Sequence, residues 1–148
     1  MAQRTGPFWD GVEGRAPIPP AAQTLGFEFI DADPERGTIE VAFTAPESWT
    51  NPVGNVLGAF VAAMLYDVIG PALLATLEPD EFQATEEIVV RFEHPLRPGR
   101  VVGHGRVIDR AGDRAHIAAE LVDGEHRTIA TCTATARIIP LAEAPGAV

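Results

Sequence analysis

The chain reads as a single α+β domain in which one long helix is held against a mostly antiparallel sheet of about six strands. Three features lead there. A strongly apolar run with helical spacing sits near the middle. Alternating segments fill the second half. The turns between the last of those segments are only a few residues long, which favours antiparallel pairing of neighbours. The 148 residues suffice for one core and are too few for two ordinary domains.

Residues 1 to 23 are rich in Gly and Pro and read as an arm laid over the surface, with Phe8 and Trp9 pinning it. The domain proper is expected over residues 24 to 140, followed by a tail over 141 to 148. Leu25 to Ile30 and Gly37 to Phe43 read as a hairpin joined through "DADPERG". The apolar run follows a loop from Pro46 to Pro52. Leu57, Val61, Leu65, Val68 and Ala72 recur every three to four residues, and Met64, Ile69 and Leu73 leave little of the circumference polar. A core helix wrapped on several sides is expected, kinked or broken near Gly70 and Pro71. In "EEIVVRFEH", Ile88, Val90 and Phe92 point one way and Val89 and Arg91 the other. Further strands are expected at about 100 to 110, 114 to 123 and 127 to 139, separated by "RAGD" and "DGEH". Glycines in "GRVVGHGRV" suit close packing or strand curvature, since they do not open a helix as a dinucleotide-binding turn would.

Composition removes several functions. Hydrophobic residues make up 46% of the chain and mean hydropathy is +0.07, against disorder. All 11 basic residues are Arg, so Schiff-base lysine and Walker A chemistry are out. A net charge of -10 opposes nucleic-acid binding, which needs a cationic surface. The one cysteine, Cys132, and an N-terminus unlike a signal peptide point to a cytoplasmic protein, and no uninterrupted apolar segment suggests a membrane span. Ser48 is the only serine and sits in no nucleophile elbow. Cys132 alternates with Thr131 and Thr133 and is expected in a packed layer. His94, His104, His116 and His126 show no metal-ligand spacing, so no metal is expected.

The central helix carries the remaining chemistry. Backbone N–H groups of Gly58 and Ala59 project from its first turn, where the dipole favours developing negative charge on a carbonyl oxygen. Asp67 lies deeper in the apolar run, as a paired structural carboxylate or as a general base or nucleophile. Tyr66 points roughly 100° away on a helix, so at most one of the two is expected to face a cleft.

The segments "RAPIPPAAQTLGFEF", "FTAPESWTNPVGNVLGAFVAAMLYDVIGPAL", "ATEEIVVRFEHPLRPG" and "GRVIDRAGDRAHIAAELVDGEHRTIATCTATARI" carry a resemblance over nearly the full length. Together they resemble the hotdog-fold acyl-CoA thioesterase superfamily, in particular its phenylacetate-pathway-like branch. The resemblance implies a long helix wrapped by a curved antiparallel sheet, a homodimer with active sites between subunits, and often a tetramer. It also implies coenzyme A as part of the substrate, with no separate cofactor. Relatives usually introduce the helix with His-Gly-Gly or Gln-Gly-Gly and place an acid nine positions on. Those positions here are Leu57, Gly58, Ala59 and Tyr66, so the usual acid is missing and Asp67 is a shifted substitute.

Thr85 matches a polar residue that in relatives often lies near the reaction centre across the dimer, and reads either as an orienter of water or carboxylate or as an ordinary strand-edge hydrogen-bonding residue; Asn51 matches a recurring loop position. Arg97, Arg100, Arg110 and Arg114, beside turns, are the candidates for the nucleotide phosphates. Leu57, Phe60 and Met64 are the candidates for lining the apolar slot of the pantetheine arm. Two readings follow: hydrolysis of an acyl or aryl thioester, or an acyl-CoA or small-aromatic binding protein with little turnover. Hydration of an acyl thioester would need an Asp and His pair at a spacing that the chain lacks.

Overall fold

The computed structural model describes residues 3 to 147. Six strands form one antiparallel sheet: β1 (Glu28–Asp33), β2 (Thr38–Ala45), β3 (Glu81–Phe92), β4 (Gly99–Ala111), β5 (Arg114–Val122) and β6 (Thr128–Pro140). Their order is β1-β2-β4-β5-β6-β3, so β1 and β3 are the edges. The long helix, Gly58–Leu74, crosses the concave face and packs against β2 to β6. The α+β expectation holds, with the helix wrapped by the sheet. No helix among the described residues is long and apolar enough to cross a membrane.

The N-terminal arm, expected to be irregular, contains two short helices, α1 (Pro7–Val12) and α2 (Pro20–Thr24), so the long helix is α3. Each of the two opens on a proline, whose fixed φ suits a first helical position. β1 begins three residues later than expected, because Leu25 caps α2 and is buried against the core.

The expected break at Gly70 and Pro71 does not occur, and α3 runs through both to Leu74. Pro71 has no N–H to donate to the carbonyl of Asp67, but it lies within a turn of the C-terminus and is fully packed, so the lost bond does not end the helix. Met64, Leu65, Val68, Ile69 and Leu73 lie inside the core with Phe43, Ile117, Leu121 and Ile129. Each such side chain contributes about 1.5–3 kcal/mol by leaving water. The close approach of helix to sheet needs glycine. A Cβ on Gly103 would sit 2.5 Å from Val68 Cγ2, and one on Gly105 2.9 Å from Val68 Cγ1. This is the close packing expected of "GHG".

One irregularity in β3 re-aims side chains. Thr85 pairs with Ala136 and Glu87 with Thr135, so Glu86 is an extra, bulged residue. Ile88, Val90 and Phe92 lie opposite Ala134, Cys132 and Ala130 on the helix side, as their alternation predicts. Carried back through Glu86 without the bulge, that alternation would turn Gln83 and Thr85 outward. The bulge brings both to the helix side.

Candidate active site

α3 borders two separate cavities. The first, about 310 Å³, lies at its N-terminus and is bordered by Asn51, Asn55, Gly58, Phe92, Glu93 and His94. The preceding loop is tied down locally. Asn51 Oδ1 accepts from the amides of Val53 (3.1 Å) and Asn55 (3.0 Å), and Asn51 donates its own N–H to the Asn55 carbonyl. Asn51 thus organises the turn that delivers the chain to Leu57. The amides of Phe60 and Val61 both return to the Leu57 carbonyl, and no side chain caps the helix. The N–H groups of Gly58 and Ala59 therefore have no acceptor among the described residues, in the half-positive environment of a helix start. The Phe92 ring closes over Gly58, where a Cβ would meet it at 3.3 Å.

His94 borders this cavity too, a position that its spacing from the other histidines did not suggest. Its Nδ1 lies 2.9 Å from the Thr128 carbonyl, which can only accept, so Nδ1 carries the proton and Nε2 is the free nitrogen.

The second cavity, about 200 Å³, lies between α3, β3 and the N-terminal arm. Phe8, Val12 and Ile18 of the arm line it opposite Tyr66 and Asp67. Trp9 holds the arm down, donating from Nε1 to the Ala75 carbonyl at the end of α3 (3.2 Å) and packing edge-on against Phe8 and Phe29. Oδ2 of Asp67 is buried with no hydrogen-bond partner, and burial raises the carboxyl pKa to about 7. Tyr66 and Asp67 both line this cavity, which corrects the expectation that only one would. The arm wraps far enough around α3 that side chains 100° apart reach the same space.

β3 contributes Gln83, which sequence reasoning missed. It is only 7% exposed, it lines the cavity, and its Oε1 accepts a hydrogen bond from Thr85 Oγ1 at 3.0 Å. The β3 bulge is what brings it there, and a bulge leaves no mark in the hydrophobic alternation. Thr85 thus reaches the cavity through Gln83.

The other expected site residues are dispersed. Arg97 lies beside the first cavity's loop and donates to the Val53 and Gly54 carbonyls. Arg100 pairs with Glu28, Arg110 with Glu81 and Arg114 with Glu86, all near the surface. Leu57 is 47% exposed beside the helix start, and Phe60 stacks on Trp49 with ring centroids 4.5 Å apart. Met64 corrects the expected pantetheine lining: it is 0% exposed in the core and borders neither cavity, because its side of α3 faces the sheet. Cys132 is buried in the packed layer, with its pKa pushed up to about 11 by desolvation, so it is no nucleophile. No cluster of three or more potential metal ligands occurs among the described residues.

A larger concavity, about 980 Å³, lies on the opposite side of the sheet and holds none of the expected site residues. A row of paired residues crosses it, from Glu40 through His104 and Glu120 to Thr131 and Arg91, with His104 Nε2 3.0 Å from Glu40.

No protein-family profile matches the chain, and no curated protein does. Solved structures do. A proposed thioesterase, a phenylacetic acid degradation-related protein from Ralstonia eutropha JMP134, is 33% identical; the match covers 88% of this chain and 98% of that one, with a TM-score of 0.85. The Escherichia coli PaaI protein from the phenylacetic acid degradation operon shares the fold at 16% identity, covering 90% and 94% of the two chains with a TM-score of 0.79. A thioesterase family protein from Silicibacter pomeroyi does so at 24% identity, covering 90% and 98%, with a TM-score of 0.80. With one-third identity across almost the whole of the Ralstonia protein, and a helix wrapped by a six-stranded antiparallel sheet, the chain belongs to the hotdog-fold thioesterase superfamily, in its phenylacetic acid degradation-related branch.

Proposed function

We propose that the protein hydrolyses an acyl- or aryl-CoA thioester to the free acid and CoA, at sites that combine residues of two subunits. The observation that carries this reading is the Asp67 carboxylate, with one oxygen buried and unpartnered in a mostly apolar cavity and a pKa near neutrality. A general base works best when its pKa lies near the operating pH, and desolvation supplies that here. In a protein that only bound its ligand, an unpaired buried carboxylate would cost stability and return nothing. The amides of Gly58 and Ala59 are the donors for the thioester oxyanion.

One subunit alone cannot bring these groups to one carbonyl. Gly58 and Asp67 are nine residues apart, which on a helix is about 13 Å along the axis and on opposite sides. A dimer joined along the free β3 edge supplies the missing half. Val89 and Phe92 on that edge are 57% and 58% exposed, the apolar surface that such a joint would cover. Arg97, beside the Gly58 cavity, is the cation best placed for the CoA phosphates.

Thiol release from short, long and aromatic acyl-CoAs tests the reading. Asp67→Asn is expected to lower kcat by about 10²–10⁴, the usual contribution of a general base, while Tyr66→Phe stays within about tenfold of wild type. Wild-type kcat in a folded Asp67→Asn protein would overturn it.

A further inference from the structure

We infer that the Gln83 side-chain amide is a positioning group of this site, holding the hydrolytic water against Asp67. This rests on the thioesterase reading and adds a residue to it. Gln83 is a polar side chain more than nine-tenths buried on the concave, otherwise largely apolar face of the sheet, a costly placement unless both ends of the amide are used. One end is used: Thr85 Oγ1 donates to Oε1 at 3.0 Å. The other end, Nε2, makes no hydrogen bond among the described residues and packs towards Gly70, where a Cβ would lie 3.3 Å from it. Gly70 is one turn beyond Asp67 on the same side of α3, and all three line the same cavity.

The cavity is therefore fronted by a carboxylate, Asp67, whose Oδ2 is buried without a donor, and by the Gln83 amide, whose Nε2 makes no hydrogen bond to another described residue. No hydrogen bond joins the two directly among the described residues. A water molecule held between the cavity-facing side of the Asp67 carboxylate and the Gln83 amide gives a proton to the one and accepts from the other. In that arrangement a lone pair of the water remains free to attack. Its oxygen bonds to the thioester carbon, one proton passes to Asp67, the C–S bond breaks, and the departing thiolate takes that proton back. The atoms balance as acid plus thiol. Tyr66 is the only other titratable side chain lining the cavity, and neither the arm nor β3 brings a charge into it.

Kinetics of Gln83→Leu and Gln83→Glu across about pH 5 to 9, beside wild type and Asp67→Asn, test this. Gln83→Leu keeps the shape and removes the donor. It is expected to lower kcat about 10- to 100-fold with KM changed by less than about threefold. Gln83→Glu puts a like charge across the cavity, and is expected to raise the midpoint of the pH–rate profile by about one unit, a shift that loss of packing alone would not produce.

Wild-type kcat in Gln83→Leu, or an unmoved midpoint in Gln83→Glu while Asp67→Asn is inactive, would overturn the inference and leave the thioesterase reading intact. If wild type turns over no thioester, that reading fails separately. The Asp67 pKa is then read from the pH dependence of the stability difference between wild type and Asp67→Asn, and Gln83→Glu must still raise it. If it does not, the inference fails too.

Discussion

The two cavities along α3 are opposites. At the helix start, polar groups gather around unused backbone donors: Asn51, Glu93 and His94 stand near the amides of Gly58 and Ala59, and the space is closed mainly by the exposed Phe92 ring. Midway along, the N-terminal arm closes an almost wholly apolar space over an unused acceptor, Asp67 Oδ2. One end can stabilise negative charge and the other can take a proton, but neither does both. A rigid helix turns them to opposite sides, so the contrast itself argues for assembly.

The sharpest way to test that complementarity is to damage one end in each of two subunits. Gly58→Pro deletes a first-turn N–H at the first helical position, where the fixed φ of proline fits and only the exposed Phe92 ring must shift slightly, and should lower kcat by about 10²–10³. If the site is shared across a two-fold interface, mixing this variant with Asp67→Asn restores about one quarter of wild-type activity, because half of the mixed population is heterodimer with one intact site. Activity no higher than that of either parent would place both groups in one subunit.

The second test concerns stability. The folded Asp67 pKa, about 7, lies above its ordinary 3.8, so the native state binds this proton more tightly than the unfolded state. The favourable contribution is therefore complete below pH 3.8 and is lost as pH rises to about 7. Above that, the ionised group opposes folding. Asp67→Asn should be more stable than wild type at pH 8, by up to about 4 kcal/mol, with the gap closing by about pH 4. Denaturant unfolding at the two pH values measures it, and equal gaps would mean that Asp67 is not held out of water.

The smallest effect expected comes from the arm. Trp9→Ala removes the bond to Ala75 and the edge-on contacts that hold Phe8 over the cavity. Bulk solvent, beyond the one bound water, then reaches Asp67, and the pH–rate midpoint should fall by about one unit towards the ordinary carboxylate range. An unchanged midpoint would mean that the arm does not control the local dielectric.

Much of the architecture was legible in the chain. The three-to-four spacing of Val61, Leu65, Val68 and Ala72, the alternation of Ile88, Val90 and Phe92, and the short turns after Ala111 and Val122 are local patterns, each set by the geometry of a helix, a strand or a tight turn. Asp67 was legible too, because a carboxylate within so apolar a run stands out.

The partners of Asp67 were not legible. Its cavity is made from three segments, the arm, α3 and β3, which no local pattern connects. Gln83 reaches it only through a one-residue bulge that reverses the inside and outside of half a strand. Tyr66 joins it because the arm wraps further around α3 than helical angles alone suggest. Residue chemistry and periodicity are fixed position by position along the chain. Desolvation, which raises the Asp67 carboxyl pKa to about 7, depends on what folds over it, and only the packed structure decides that.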